Sequence, residues 1–149
     1  MSDVEQICQL KYRYLRTLDT KEWDAFGATL TEDVEGRYAG LDLDGRDTLV
    51  DYMRQNLGPQ VVTLHQCHHP EIEVDGDTAT GRWYLQDKVI APDFDYVLEG
   101  AGIYADRYRR VDGEWLIAAT GYARTYELTW SLKDLPSAKV TLAPRHDPV

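Results

Sequence analysis

Residues 61–130 read VVTLHQCHHPEIEVDGDTATGRWYLQDKVIAPDFDYVLEGAGIYADRYRRVDGEWLIAATGYARTYELTW, and this stretch decides the fold. Two Asp-Gly pairs, Asp75–Gly76 and Asp112–Gly113, divide it. Such pairs supply the positive φ angles of a tight hairpin, so each marks a reversal between strands. The runs Val61–Val74, Thr78–Ile90, Glu99–Val111 and Glu114–Trp130 therefore read as strands. In the second run the period-two pattern puts Trp83, Leu85 and Asp87 on one face. In the last it assigns Leu116, Ala118, Tyr122, Arg124 and Tyr126 to one face. The joint from Ile90 to Glu99 contains Pro92 and reads as a longer loop.

Upstream the pattern is helical. Ser2–Leu18 reads as a helix, with Ser2 or Asp3 able to cap it and Ile7, Tyr14 and Leu18 near one face. Thr20 is placed to cap a second, short helix carrying Trp23, Phe26 and Leu30. Val34–Leu43 reads as a strand or loop that Asp44–Gly45 breaks. Arg46–Leu57 reads as a third helix, ended by Gly58–Pro59. Helices followed by a long meander predict an α+β domain, with a strongly curved mixed or antiparallel sheet around the N-terminal helices.

The chain has 149 residues, and residues 1–149 read as a single domain with a partly flexible tail from Pro136, which could add a short strand. Its net charge of -10 argues against nucleic acid and anionic membranes as partners. No apolar run approaches a membrane span, and Met1–Glu5 lacks the look of a signal peptide. With two cysteines, Cys8 and Cys67, a reduced cytoplasmic protein is the simpler expectation. Ten Tyr, four Trp and two Phe suit either a ring-binding pocket or a Tyr-rich sheet.

Few residues stand out as carriers of chemistry. Asp19 lies at the predicted end of the first helix, where a carboxylate faces the unfavourable end of the dipole. It is a pocket residue or a turn residue. Tyr14, about one and a half turns earlier, is a pocket or a core tyrosine. Leu64–His69 (LHQCHH) suggests zinc, but His65 and His69 would lie about 13 Å apart in an extended strand and His68 would point the other way. One pocket histidine, His65, is the better reading, with no metal. Arg124 could hold an anionic or carbonyl group, or pair with Asp87 or Glu99. No phosphate loop, nucleophile elbow or dinucleotide fingerprint is present, so cofactor-free proton transfer is the chemistry that fits.

The segments LKYRYLRTLDTKEWDAF (10–26), LHQCHHPEIEV (64–74), TATGRWYLQD (78–87) and Tyr104–Arg124 with its DGEWLIAATGYAR ending resemble the bile acid 7-alpha-dehydratase group of SnoaL-like proteins, within the NTF2-like superfamily. The similarity runs from about Glu5 to about Val140. The resemblance implies a catalytic set of Tyr14, Asp19, His65 and Arg124. Trp23, Tyr38, Trp83, Leu85, Asp87, Glu99 and Tyr122 are the expected substrate neighbours, of which Asp87 also matches an acid of the group. The chain departs from the group at His69, in the Ala91–Val97 loop and at Glu99, positions expected to border the substrate.

What the resemblance implies is a hydro-lyase acting on a hydroxylated 3-oxo-4-ene steroid or a similar fused-ring ketone, as free compound or coenzyme A thioester. An isomerase or cyclase acting on a steroid or polyketide, and a non-catalytic binding module, are the alternatives. A homotrimer follows by the same analogy.

Overall fold

A computed structural model describes residues 1–142. The order is α1 (Asp3–Asp19), α2 (Trp23–Gly27), β1 (Leu30–Tyr38), β2 (Leu41–Asp44), α3 (Arg46–Asn56), β3 (Val62–Asp75), β4 (Thr78–Ala91), β5 (Tyr96–Val111) and β6 (Glu114–Ser131). The six strands form one sheet in the order β2-β1-β6-β5-β4-β3. All neighbours are antiparallel except β1 and β6, which are parallel. This is the α+β class with a mixed sheet that the sequence predicts. No helix among the described residues is long and apolar enough to cross a membrane.

The strand at β6 carries the curvature. Its pairing with β5 slips twice, at Arg107/Tyr108 and at Ala101/Gly102. A bulge bends a strand and switches which residues face inward. Trp115 and Ile117 are buried, and after the first slip Thr120, Tyr122 and Arg124 continue the inner face. Leu116 and Ala118 therefore do not share a face with Tyr122, and beyond the second slip Tyr126 turns outward and is exposed. Simple period-two counting fails here because it has no extra residues to place. A third bulge, between His68 and Glu71, contains His69 at φ 51°.

Other boundaries shift for local reasons. Ser2 and Glu5 form a reciprocal capping box at the start of α1, with the Glu5 N–H donating to Ser2 Oγ at 3.2 Å. Thr20 does not cap α2; it ends α1, its N–H and hydroxyl both donating to Arg16 O. Leu30 opens β1 rather than continuing α2, because the Ile117 N–H donates to Thr29 O and starts the pairing with β6 there. The joint after β4 is short: β4 runs to Ala91, β5 begins at Tyr96, and Pro92–Phe94 forms a 3-10 turn. Within residues 136–142 the tail adds no strand. The rest of the tail expectation falls on residues 143–149, outside the described residues.

The core lies between α1 and the inner face of the sheet. Ile7, Leu10, Tyr14, Leu15 and Leu18 of α1 are buried together with Trp83, Leu85, Tyr104, Tyr108 and Ile117. At its centre sits a charge. Lys11 is fully buried, with Nζ 2.8 Å from the equally buried Asp106 and over the face of the Tyr104 ring at 3.5 Å. Asp106 also accepts hydrogen bonds from Tyr108 (2.8 Å) and Thr120 (2.7 Å), and Trp83 Nε1 donates to the Tyr108 hydroxyl at 2.9 Å. Each desolvated charge is thus met by its counter-charge and by further polar or aromatic partners, the condition for burying it at all. Lys11→Met should lower unfolding free energy by about 3–5 kcal/mol in chemical denaturation, because it strands the Asp106 carboxylate. Adding Asp106→Asn should recover part of that loss; no recovery would show that the charge is not the source of the cost.

Candidate active site

The end of α1 is built to stop at Asp19. Lys21 takes the left-handed conformation at φ 59°, the Glu22 N–H donates to Thr17 O at 2.9 Å and the Lys21 N–H to Leu18 O at 3.2 Å. This is the paired reversal that commonly ends helices, here with Lys in the position that glycine usually fills. It turns the chain away and leaves the Asp19 side chain directed at β3.

There the carboxylate meets three donors. The Thr63 hydroxyl donates to Oδ1 at 2.8 Å, the His65 backbone N–H to Oδ2 at 2.9 Å, and His65 Nδ1 lies 2.6 Å from Oδ1. Thr63 and His65 point inward together because they alternate with the exposed Leu64 and Gln66. Both members of the dyad are largely buried, at 19% and 10% side-chain exposure. An Nδ1 bound to a carboxylate fixes the imidazole tautomer and leaves Nε2 for other partners.

His65 lines a cavity of about 360 Å³ with Tyr38, Tyr104, Tyr122, Thr63, Asp87 and Arg124. Leu18, Leu41, Tyr52, Met53, Asn56, Leu57 and Val89 supply the remaining wall, so α3 and β2 close one side. That volume is near the lower end of small-molecule sites, about 300–1,000 Å³. Larger depressions exist on the outer side of the sheet, but there an acid, a base and hydroxyl donors do not converge.

The tyrosines are ordered by hydrogen bonds and ring contacts. Tyr14 is fully buried and does not reach the cavity wall; its hydroxyl lies 2.6 Å from that of Tyr38, which does. Tyr122 packs edge-on against Tyr38 and Tyr104. Burial drives the Tyr14, Tyr38 and Tyr104 phenols well above the ordinary range. They remain protonated at neutral pH and can act as donors.

Asp87 lies directly opposite His65 in the β3–β4 register. It is almost fully buried and receives both terminal nitrogens of Arg124, with Nη2 at 2.8 Å. Arg124 Nε also lies 3.1 Å from Glu127. Burial works to lower the Arg124 pKa, but the Asp87 hydrogen bonds together with the charges of Tyr122, Asp87 and Glu127 outweigh it, so the net shift is upward. Gly100, opposite Asp87 on β5, makes room for this pair: a Cβ there would overlap Arg124 Nη1.

The structure thus brings His65, Tyr38, Asp87, Tyr122 and Arg124 to one cavity, with Asp19 behind His65 and Tyr14 behind Tyr38. It does not bring the others there. Trp83 and Leu85 are core residues, Trp83 bonded to Tyr108. Trp23 packs edge-on against Phe26. Glu99 faces outward and pairs with Lys88 at 2.5 Å, not with Arg124. His69 is exposed on the outer bulge beside His68 and Tyr84, so neither His69 nor Glu99 borders the cavity. Among the described residues, no three His, Cys, Asp or Glu side chains gather as metal ligands. Residues not singled out in the sequence also matter: Thr63 holds Asp19, Glu127 flanks Arg124, and Gly100 clears its path. A glycine inside a strand is a known sign of close approach and could have flagged the last.

A sequence profile described as a SnoaL-like domain matches residues 1–120. Among solved structures, the chain is similar to a candidate scytalone dehydratase from Novosphingobium aromaticivorans, at 22% identity over 85% of this chain and 86% of that one, with a TM-score of 0.78. It is similar to a single-residue variant of Rv3472, a protein of unknown function from Mycobacterium tuberculosis, at 28% identity over 82% of this chain and 76% of that one (TM-score 0.72). It also resembles hexachlorocyclohexane dehydrochlorinase LinA type 2, at 19% identity over 96% and 98% of the two chains (TM-score 0.75). With more than half its length matched by the profile, and with the curved α+β architecture in agreement, the chain belongs to the SnoaL-like domain family.

Proposed function

We propose that the protein is a cofactor-independent dehydratase that removes water from a hydroxylated ring ketone, with a 3-oxo-4-ene steroid or similar fused-ring ketone as the substrate class. The observation that carries this reading is the Asp19–His65 contact of 2.6 Å at the wall of an aromatic cavity. The dehydratase and dehydrochlorinase among the similar structures are both named for eliminations, which supports the same reaction type.

In this proposal His65 Nε2 removes the acidic carbon-bound proton, and Asp19 stabilises the imidazolium that forms. The electron pair moves toward the ketone oxygen. Tyr38, not Tyr14, donates to that oxygen, because Tyr38 lines the cavity and Tyr14 supports it from behind. The electrons then return to expel the hydroxyl, which takes the proton from His65 and leaves as water. Base, acid and oxyanion donor are all supplied by this chain.

The expected assay result is loss of one water from a 7-hydroxy-3-oxo-4-ene steroid, read by mass and by growth of an extended dienone absorbance. His65→Gln should lower the rate by about 10²–10⁴-fold. Tyr38→Phe should lower kcat more than it changes KM. Full activity in His65→Gln would refute the role of base.

We further propose a cytoplasmic homotrimer. The outer sheet face exposes Leu64, Tyr84, Tyr126 and Leu128, an apolar set suited to burial against another copy. Light scattering after size exclusion should give three times the 17.1 kDa chain mass; a monomer at micromolar concentration would rule the trimer out.

A further inference from the structure

Arg124 is the cation of the cavity wall, and its charge is already answered. Its terminal nitrogens both donate to Asp87, its Nε lies 3.1 Å from Glu127 as an ion pair without a hydrogen bond, and its guanidinium packs 4.8 Å from the Tyr122 ring centroid. The Asp87 side chain is 2% exposed and that of Arg124 15%, so the pair is fixed in place rather than swinging in solvent. Gly100 lets it lie flat against β5. Behind His65 stands a further carboxylate, Asp19. Two carboxylates thus flank the guanidinium and a third holds the histidine of the same cavity, in a chain whose net charge is -10.

A ligand carboxylate entering this cavity would meet Asp87 in the place it needs on Arg124. It would have to displace a buried, bidentate partner or remain unpaired near like charges, and both are costly. An uncharged ketone needs only a donor, and Tyr38 provides one. We propose that the Asp87–Arg124 pair is a charge filter, so that the cavity accepts uncharged ring compounds and rejects their carboxylate counterparts. This inference rests on the reading of the cavity as the substrate site. It also reassigns Arg124: it holds Asp87 against the cavity wall and is not a receptor for a carboxylate end.

The test uses three probes on one bicyclic skeleton: a tetralone, a tetralone carrying a ring carboxylate, and the methyl ester of that acid. Binding to the full-length protein is measured by calorimetry at pH 7, with the His65 ring signals in NMR locating the ligand. The ketone and ester should bind at least tenfold more tightly than the acid. Asp87→Asn leaves Arg124 without its main counter-charge and should narrow or invert that ratio. Glu127→Gln, a milder change at a more exposed position, should narrow it less, and circular dichroism checks that each variant is folded. An acid that binds wild type as tightly as its ester would overturn the filter. So would a ratio unchanged in both folded variants, or the failure of all three probes to bind. The measurement involves no turnover: selective binding without loss of water from any hydroxylated ketone would leave the filter standing and remove the dehydratase reading instead.

Discussion

The site depends on one carboxylate and the three donors that hold it. Asp19 closes α1 and ties that helix to β3 through the Thr63 hydroxyl, the His65 amide and the His65 ring. Each donor alone would be an ordinary hydrogen bond. Together they fix helix end, strand register and imidazole tautomer in one contact, because a one-residue slip of β3 would turn Thr63 and His65 outward. The reversal at Lys21 is part of the same device, since it turns the chain away directly after Asp19. The helix dipole does not favour an acid at this end. The position is explained by the contacts that Asp19 makes across the fold.

A second buried charge keeps the core from being purely apolar. Lys11 and Asp106 lie beneath the tyrosines that line or support the cavity, with Lys11 against the rings of Tyr14 and Tyr104. Orientation of Tyr38 therefore passes through Tyr14 to a network fixed by ionic and hydrogen bonds. Such networks are useful where a donor must be held in one direction, and they cost stability if incomplete. The cavity above it combines hydroxyl donors kept protonated by burial with one histidine able to take a proton. Hydroxyl donors beside a histidine are the groups that general acid–base chemistry uses.

Much of this was legible in the sequence, for identifiable reasons. The two Asp-Gly reversals and the alternation in β4 define the meander, and the helical spacing of Ile7, Tyr14 and Leu18 defines α1. Asp19 and His65 could be shortlisted separately, one as an acid at a helix end and the other by exclusion of a zinc site. Their pairing is implied by the family resemblance but not by the residues alone, since it depends on how α1 sits against β3. The faces of β6 were misassigned at Leu116, Ala118 and Tyr126 because its bulges add residues that periodicity cannot see. Glu99 and Lys88 find each other across strands on the outer side, and sequence spacing gives no sign of that. The Arg124 partnership was open between Asp87 and Glu99 until the register of β4, β5 and β6 placed Asp87 beneath it.

The central claim is that Asp19 holds His65 in the tautomer that presents an unprotonated Nε2 to the cavity. Nitrogen-15 NMR of the imidazole rings tests it without any substrate. At a pH where the ring is neutral, the account predicts that His65 carries its proton on Nδ1, in a hydrogen bond that disappears in Asp19→Asn. A neutral His65 protonated on Nε2, or a ring signal indifferent to Asp19→Asn, would contradict it.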